Sequence, residues 1–364
     1  MNPFSRFQRR SQIIPASNFN SFVFQNGQIV PNNLVDAQSA LHNSDVFAVI
    51  NLIASDVASA RFTIASPFTT VMANPNGLIS GYNFWQSVVA QLLLAGNAYV
   101  AVTRDTNNIP THLELAPAGQ ITVTLGDKSA SIGYQVNWND ERGTVSYASQ
   151  NMLHFRLLAA GNDATKSYVG ISPLESLVNA VNMQEYSSRL TLGTLKNAIN
   201  PMLTITVPEA VLKPEEKENI RDSYLEQSTG DNTGKPIVLD QSSTLNTLSI
   251  NADVAKFLST LDFGKTAISE AFGVPANYLN GQGDQQSSLE MVKSLYSNTL
   301  RRYTMPIESE IQAKFGVPFD LDESSAVDAD NSTLISQINK LMAGKNPAIT
   351  QDQATQMLQK RGVI

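Results

Sequence analysis

Gly170-Ile171-Ser172-Pro173-Leu174-Glu175 divides the 364-residue chain into two kinds of sequence. Ser172 is a good helix cap, Pro173 suits the first helical position because no N–H is needed there, and Glu175 completes the spacing of a capping box. Downstream, Leu174, Leu177, Val178, Val181, Leu195 and Ile199 recur at helical spacing until Asn200-Pro201 stops them. That run predicts one helix roughly 40 Å long. Upstream, short segments rich in β-branched and aromatic residues alternate with turn residues. Strands are expected at 97–103, 111–115, 121–125, 134–138, 144–147 and 152–157, mostly as an antiparallel meander.

Two helices precede those strands. The first opens on Ser44 as its cap, with Asp45 in the first turn, and turns Val46, Val49, Ile50, Ile53 and Val57 to one buried face. The second covers 82–95, with Trp85, Val88, Val89, Leu92 and Leu93 on its apolar face, and ends at Gly96. Residues 44–160 therefore read as an α+β domain. The first 40 residues are rich in Asn, Gln, Ser and Pro without periodicity and read as an extended arm or irregular lead-in.

After the long helix, a compact α/β insertion is expected: a strand at 202–207, a charged helix at 214–227, and short strands at 237–239 and 245–248. A second helix, 253–272, follows, with Val254, Phe257, Leu258, Leu261 and Ile268 on one face. A polar loop then leads to Ser287 and Glu290, another capping-box pair, and to the longest helix, 288–315. Leu289, Val292, Tyr296, Leu300, Tyr303, Ile307 and Ile311 fall at steps of three and four. Pro306 lies inside this run and should kink it, since proline removes one hydrogen bond and crowds the preceding turn. From 321 the chain reads as an acidic loop and then two short helices near 332–343 and 350–360.

Composition narrows the chemistry. The absence of cysteine excludes disulfides and thiolate metal sites. His42, His112 and His154 lie far apart, and none has a second ligand at metal spacing; His154 reads as a strand residue. Gly230-Asp-Asn-Thr-Gly234-Lys235-Pro236 has one residue too few between its glycines for a phosphate loop, and Pro stands where magnesium needs Ser or Thr. There is no Gly-x-Ser-x-Gly elbow. An enzyme is not expected, nor is a cofactor or a metal. No stretch approaches the roughly 20 apolar residues that span a bilayer, and the basic residues 1–10 have no apolar signal core behind them, which reads as a polar arm on a soluble protein. With 25 basic against 32 acidic side chains, a net charge of −7 suits loose contact with DNA at most, because tight grip comes from counterion release by a basic surface.

Four pieces, taken in order, resemble the portal proteins of long-tailed bacteriophages. They are Phe84-Trp-Gln with Leu-Leu-Ala-Gly-Asn-Ala-Tyr99, Arg104-Asp105, Leu113 and Pro117; His154-Phe-Arg with Gly170-Ile-Ser-Pro-Leu174; Lys235-Pro-Ile-Val-Leu239 leading to Ile268-Ser-Glu-Ala-Phe-Gly-Val-Pro275; and Thr299-Leu-Arg-Arg-Tyr-Thr-Met-Pro-Ile307. Each is weak alone; their order and spacing between about 44 and 316 carry the resemblance.

The resemblance implies an α+β portal fold with an α/β wing, a two-helix stem, a small α/β clip, a long kinked helix and a short helical crown. On this chain it assigns 1–40 to an N-terminal arm, 41–168 to the wing, 169–200 and 252–273 to the stem helices, 201–251 to the clip, 274–287 to a tunnel loop, 288–320 to the kinked helix and 321–364 to the crown. It further implies a homo-oligomeric ring, usually of twelve copies, at one capsid vertex of a virion, assembled in the host cytoplasm with major capsid and scaffold proteins and without a membrane. Double-stranded DNA would pass through weakly and non-specifically. The terminase large subunit, and later the head–tail connector, would dock on the clip. Twelve helices of 10–12 Å diameter side by side enclose a bore of roughly 25–35 Å, enough for a duplex.

The same resemblance points to site residues. Asn280, Gly281, Gln282, Gly283, Asp284, Gln285 and Gln286 would face DNA in the tunnel loop, the amides touching phosphates transiently and Asp284 repelling them. Lys213, Glu215, Glu216, Lys217 and Glu218 read as a solvated face of the clip helix whose mixed sign can also steer docking. Arg301 and Arg302, on a helix beside Glu308 and Glu310, read as ion-pair partners rather than a nucleic-acid patch. A ring-forming head–tail adaptor that does not touch DNA is the second reading, since it needs the same oligomer.

Overall fold

The chain runs as β1 (Gln12–Pro15), β2 (Phe22–Gln25), β3 (Gln28–Pro31), α1 (Ser44–Ser59), β4 (Arg61–Ile64), α2 (Phe68–Ala73), α3 (Gly81–Ala95), β5 (Asn97–Arg104), β6 (Pro110–Ala116), β7 (Ile121–Leu125), β8 (Ile132–Asn137), β9 (Thr144–Ala148) and β10 (Met152–Arg156). It continues as α4 (Leu174–Ile199), β11 (Leu203–Thr206), α5 (Pro214–Ser228), β12 (Thr244–Thr247), α6 (Val254–Phe272), α7 (Leu289–Phe315), β13 (Phe319–Asp322), α8 (Ser324–Val327), α9 (Ser332–Met342) and α10 (Gln351–Arg361). The structure, a computed structural model, describes residues 12–15, 22–25, 28–31, 40–126, 131–159, 161, 167–199, 203–206, 213–228, 244–247, 254–275, 289–343 and 347–364. They fall into two units, 1–182 with 263–364, and 183–262.

In the larger unit, α1 buries Val46, Val49, Ile50, Ile53 and Val57, the stripe that the spacing predicts. Its cap is Asn43 rather than Ser44: Asn43 Oδ1 accepts the N–H groups of Asp45 and Val46 at 3.0 and 3.2 Å. Asn and Ser cap about equally well, so two adjacent candidates are not separable from sequence. Helix α3 is capped by Ser80 and buries Phe84, Val88, Val89, Leu92 and Leu93, while Trp85 is half-buried with its Nε1 donating to Met72 O at 2.9 Å.

Two antiparallel sheets carry the meander. One is ordered β1-β7-β8-β9 and the other β10-β5-β6. Successive side chains of a strand face opposite ways, and the second sheet uses both faces. Ala98, Val100 and Val102 of β5, with Leu153 and Phe155 of β10, join the core made by α1, α3 and α7. Tyr99, Ala101 and Met152 point the other way, into a second core with Val123, Tyr134 and Val136. Three layers result: helices, a three-stranded sheet, and the four-stranded sheet.

β13 was not expected. Residues 319–322 straddle the expected end of the kinked-helix segment at 320 and the start of the acidic loop at 321, yet they pair antiparallel with β4 in the register Phe319↔Ile64 to Asp322↔Arg61. Phe319 and Leu321 are buried and Asp320 is exposed, so a two-residue period is present but too short to stand out from its four residues. Of the smaller unit, β11 and β12 pair antiparallel, and α5 carries the charged sequence. The strand expected at 237–239 lies outside the described residues.

Candidate functional site

Three of the stretches quoted above meet at one junction. Helix α3 ends on Gly96, which adopts φ +73°. A side chain there would meet the backbone of Ile171 and Ser172 at 2.4–2.7 Å, so glycine is required both for its conformation and for the approach of residues 170–172. Gly170 is in turn pressed against Gly96 O, 2.2 Å from where its Cβ would stand. Asn97, buried, closes the junction. Its Nδ2 donates to Ala95 O at 3.1 Å and Gly170 O at 2.8 Å, and its Oδ1 accepts Gly170 N–H at 2.7 Å.

That arrangement fixes the tautomer of His154. Asn97 Oδ1 can only accept, so His154 Nε2, 3.0 Å away, donates to it; Nδ1 then accepts from the Tyr134 hydroxyl at 3.2 Å. The imidazole is fully buried and stacks on Tyr99, with ring centroids 4.3 Å apart. Burial, reinforced by Arg156 and Lys314, pushes its pKa well below the ordinary histidine value, so the ring is neutral. The His154 N–H donates to Glu310 Oε1 on α7 at 3.1 Å, with Arg156 and Lys314 at 3.8 and 3.7 Å from the same carboxylate.

Ser172 starts α4 from this junction. Its Oγ, buried, donates to Leu94 O at 2.7 Å and accepts Leu174 N–H at 3.1 Å, so the cap engages Leu174 rather than Glu175, whose N–H goes to Ser172 O. Leu174, Leu177 and Val181 are buried as expected and Val178 is half-buried; the side chains of Leu195 and Ile199 lie outside the description.

A second junction joins residues 268–275 to residues 299–307; residues 235–239 lie outside the described residues. Helix α6 ends at Gly273, φ +73°, with Val274 N–H returning to Ser269 O at 2.8 Å. Two side chains of α7 then take the carbonyls left over at that end: Tyr303 OH donates to Phe272 O at 2.7 Å, and Thr299 Oγ1 to Gly273 O at 2.5 Å. Burial raises the Tyr303 hydroxyl to about 12, so it remains a donor. Elsewhere on α7, Tyr296, Leu300, Ile307 and Ile311 are buried. Pro306 lies within the unbroken helix and leaves Arg302 O without its backbone donor.

Asn280 to Gln286 lie outside the described residues. Lys213, Glu215, Glu216, Lys217 and Glu218 are all exposed at the start of α5, where Glu216 Oε2 accepts Lys213 N–H at 2.8 Å. Arg301 approaches Glu308 at 3.9 Å, the intrahelical of the two pairings, intrahelical or between subunits, that the sequence leaves open for it. Among the described residues no group of His, Asp and Glu is placed to hold a metal, and no helix is long and apolar enough to cross a membrane. Asn97 is not singled out by the sequence reading, and Glu310, read there as a carboxylate beside Arg301 and Arg302, meets His154 N–H, Arg156 and Lys314. The one signal for Asn97 was an Asn directly after a helix-ending Gly, at the entry to an otherwise apolar strand.

Comparison with known proteins converges on one family. The family model described as "Phage portal protein" matches residues 44–358. The "Probable portal protein" of Streptomyces phage phiC31 is 24% identical over 269 residues, 68% of this chain and 57% of that protein. Among solved structures, a chain in the neck of a native gene transfer agent particle, computed with C12 symmetry, aligns with TM-score 0.66 at 18% identity over 88% of this chain and 92% of that one. An HK97-family phage portal protein from Corynebacterium diphtheriae aligns with TM-score 0.55 at 15% identity over 82% and 99%.

Proposed function

This chain belongs to the phage portal protein family, and from that premise we propose that it forms a ring, of twelve copies, at one capsid vertex, through which double-stranded DNA is packaged and later ejected. The observation that carries the reading is the match over 44–358 together with the place of its described motif residues: Gly96, Asn97, His154, Gly170 and Ser172 build the junction that sets the start of α4, and Phe272, Gly273, Thr299 and Tyr303 the one that sets the end of α6. A channel subunit needs these helices aimed reproducibly in every copy. The C12 symmetry of the gene transfer agent neck supports the copy number. Met183, Tyr186 and Leu190, at steps of three and four on α4, are exposed in the single chain, with Tyr186 at 70%; such a stripe suits contact with another copy.

In this proposal residues 201–251 form the clip that docks the terminase large subunit and afterwards the head–tail connector, and the acidic and basic side chains of 213–218 steer that docking. Residues 274–287 form the tunnel loop, centring DNA without gripping it, and the C-terminal helices form a short crown. Capsid and scaffold proteins surround the wing during assembly in the host cytoplasm. Negative-stain microscopy with mass photometry on one sample tests the ring. Annular particles with a mass near twelve copies are expected; a closed compact dimer would overturn the reading.

A further inference from the structure

Strand β7 contributes Ile121, Val123 and Leu125 to the second core, so its outer edge needs a partner to satisfy its backbone. The partner is β1, in the register Gln12↔Leu125, Ile13↔Thr124, Ile14↔Val123 and Pro15↔Thr122. No hairpin turn commits β1 to its own chain. Residues 16–39 separate it from Ala40, which is buried in the packed body.

Within that tether sits the hairpin of β2 and β3, whose strands carry Phe22, Val23, Phe24, Ile29 and Val30. Among the described residues it pairs with no other strand. A lone two-stranded hairpin is marginal in water, and one this apolar calls for a surface to cover it. The arm therefore brings one strand with a defined receptor and one hairpin of apolar sequence that, among the described residues, joins no larger sheet.

We propose that the arm is exchanged around the ring: β1 of each copy seals the β7 edge of its neighbour, and the β2–β3 hairpin is covered on the way. This rests on the ring proposed above. Residues 16–21 and 32–39, either side of the hairpin, can span roughly 45 Å when extended. Adjacent copies of a closed ring touch, so the tether has one subunit contact to cross. Exchange leaves every β1–β7 hydrogen bond intact, and in a closed ring each donated strand finds a receiver. A neighbour held at fixed distance competes well with the donor's own edge, because closure entropy grows slowly with tether length.

The chain has no cysteine, so an introduced pair is read without background. In the double variant Ile13→Cys/Thr124→Cys, oxidised and run on a non-reducing denaturing gel, exchange predicts a ladder of covalent oligomers up to the full ring. Single-cysteine variants should give no such ladder. Disulfide-bonded monomers alone would overturn the proposal, and so would intact rings whose thiols remain free, since β1 would then not lie on β7. Mass photometry of the same sample separates the two readings: rings with monomer-only disulfides sink the exchange but keep the ring, whereas absence of rings sinks both. Pro15→Cys/Thr122→Cys repeats the measurement at another register position should the first pair disturb folding.

Discussion

At the scale of single residues, His154 makes the pH dependence of stability predictable. Its pKa in the folded protein lies well below the unfolded value of about 6.5. The unfolded chain therefore takes up a proton that the folded one refuses, and stability present above pH 6.5 is lost as pH falls towards the folded pKa, by about 1.4 kcal/mol per pH unit. Urea denaturation at pH 7, 6 and 5 should show a shallower decline for His154→Gln than for the natural chain; parallel declines would refute the assignment. Asp56 behaves in the opposite sense. Burial raises its pKa, opposed by the Tyr296 hydroxyl that donates to it at 2.5 Å. Its charge thus costs stability at neutral pH, and that cost fades below about pH 4. Asp56→Asn, which keeps an acceptor for Tyr296, should melt slightly higher at pH 7, by less than about 1 kcal/mol because the carboxylate is only half-buried, and no higher at pH 3.5. Asn97→Ala should cost about 2–4 kcal/mol, since it leaves buried groups of Ala95, Gly170 and His154 without partners.

At the scale of elements, α7 ties the larger unit together. Arg104 Nη2 donates to Lys314 O and Gln150 O, at 3.3 and 3.0 Å, with its guanidinium 5.7 Å from the Phe315 ring centroid. Arg104→Ala should lower the melting temperature, with a loss of about 2 kcal/mol by chemical denaturation. Most elements were legible because long apolar periods announce themselves: α3, β5 and α7 begin and end within about a residue of their expected limits. What escaped was decided by partners distant in sequence. β13 is a strand only because β4 lies beside it, and Glu308 Oε1 holds Leu321 N–H at 3.1 Å. The junction at Asn97 was half legible: its glycines and its serine stood out as turn and cap signals. The asparagine's four hydrogen bonds required knowing that residues 154 and 170 arrive at the same place.

At the scale of the whole molecule, net charge and oligomer decide how DNA would be met. With a charge of −7 per chain, a proposed ring of twelve should bind duplex DNA poorly at physiological salt. Gln282→Lys/Asp284→Lys should raise that affinity and steepen its salt dependence by roughly one unit of slope for each phosphate newly neutralised, measured by fluorescence anisotropy across a salt series. An unchanged slope would show that residues 282–284 do not face the duplex.

The pairing of β4 with β13 has a further consequence, on the ribosome. Ile64 waits for Phe319, 255 residues later, which at 5–20 residues per second means a delay of about 13–50 s. During that interval α1 and α3 are complete, but the α7 residues that cover them, Leu300, Ile307 and Ile311 among them, have not been made. The nascent chain must spend most of its synthesis with an uncovered apolar surface. Chains arrested before residue 289 should be held by chaperones or aggregate, while those released after 322 should fold.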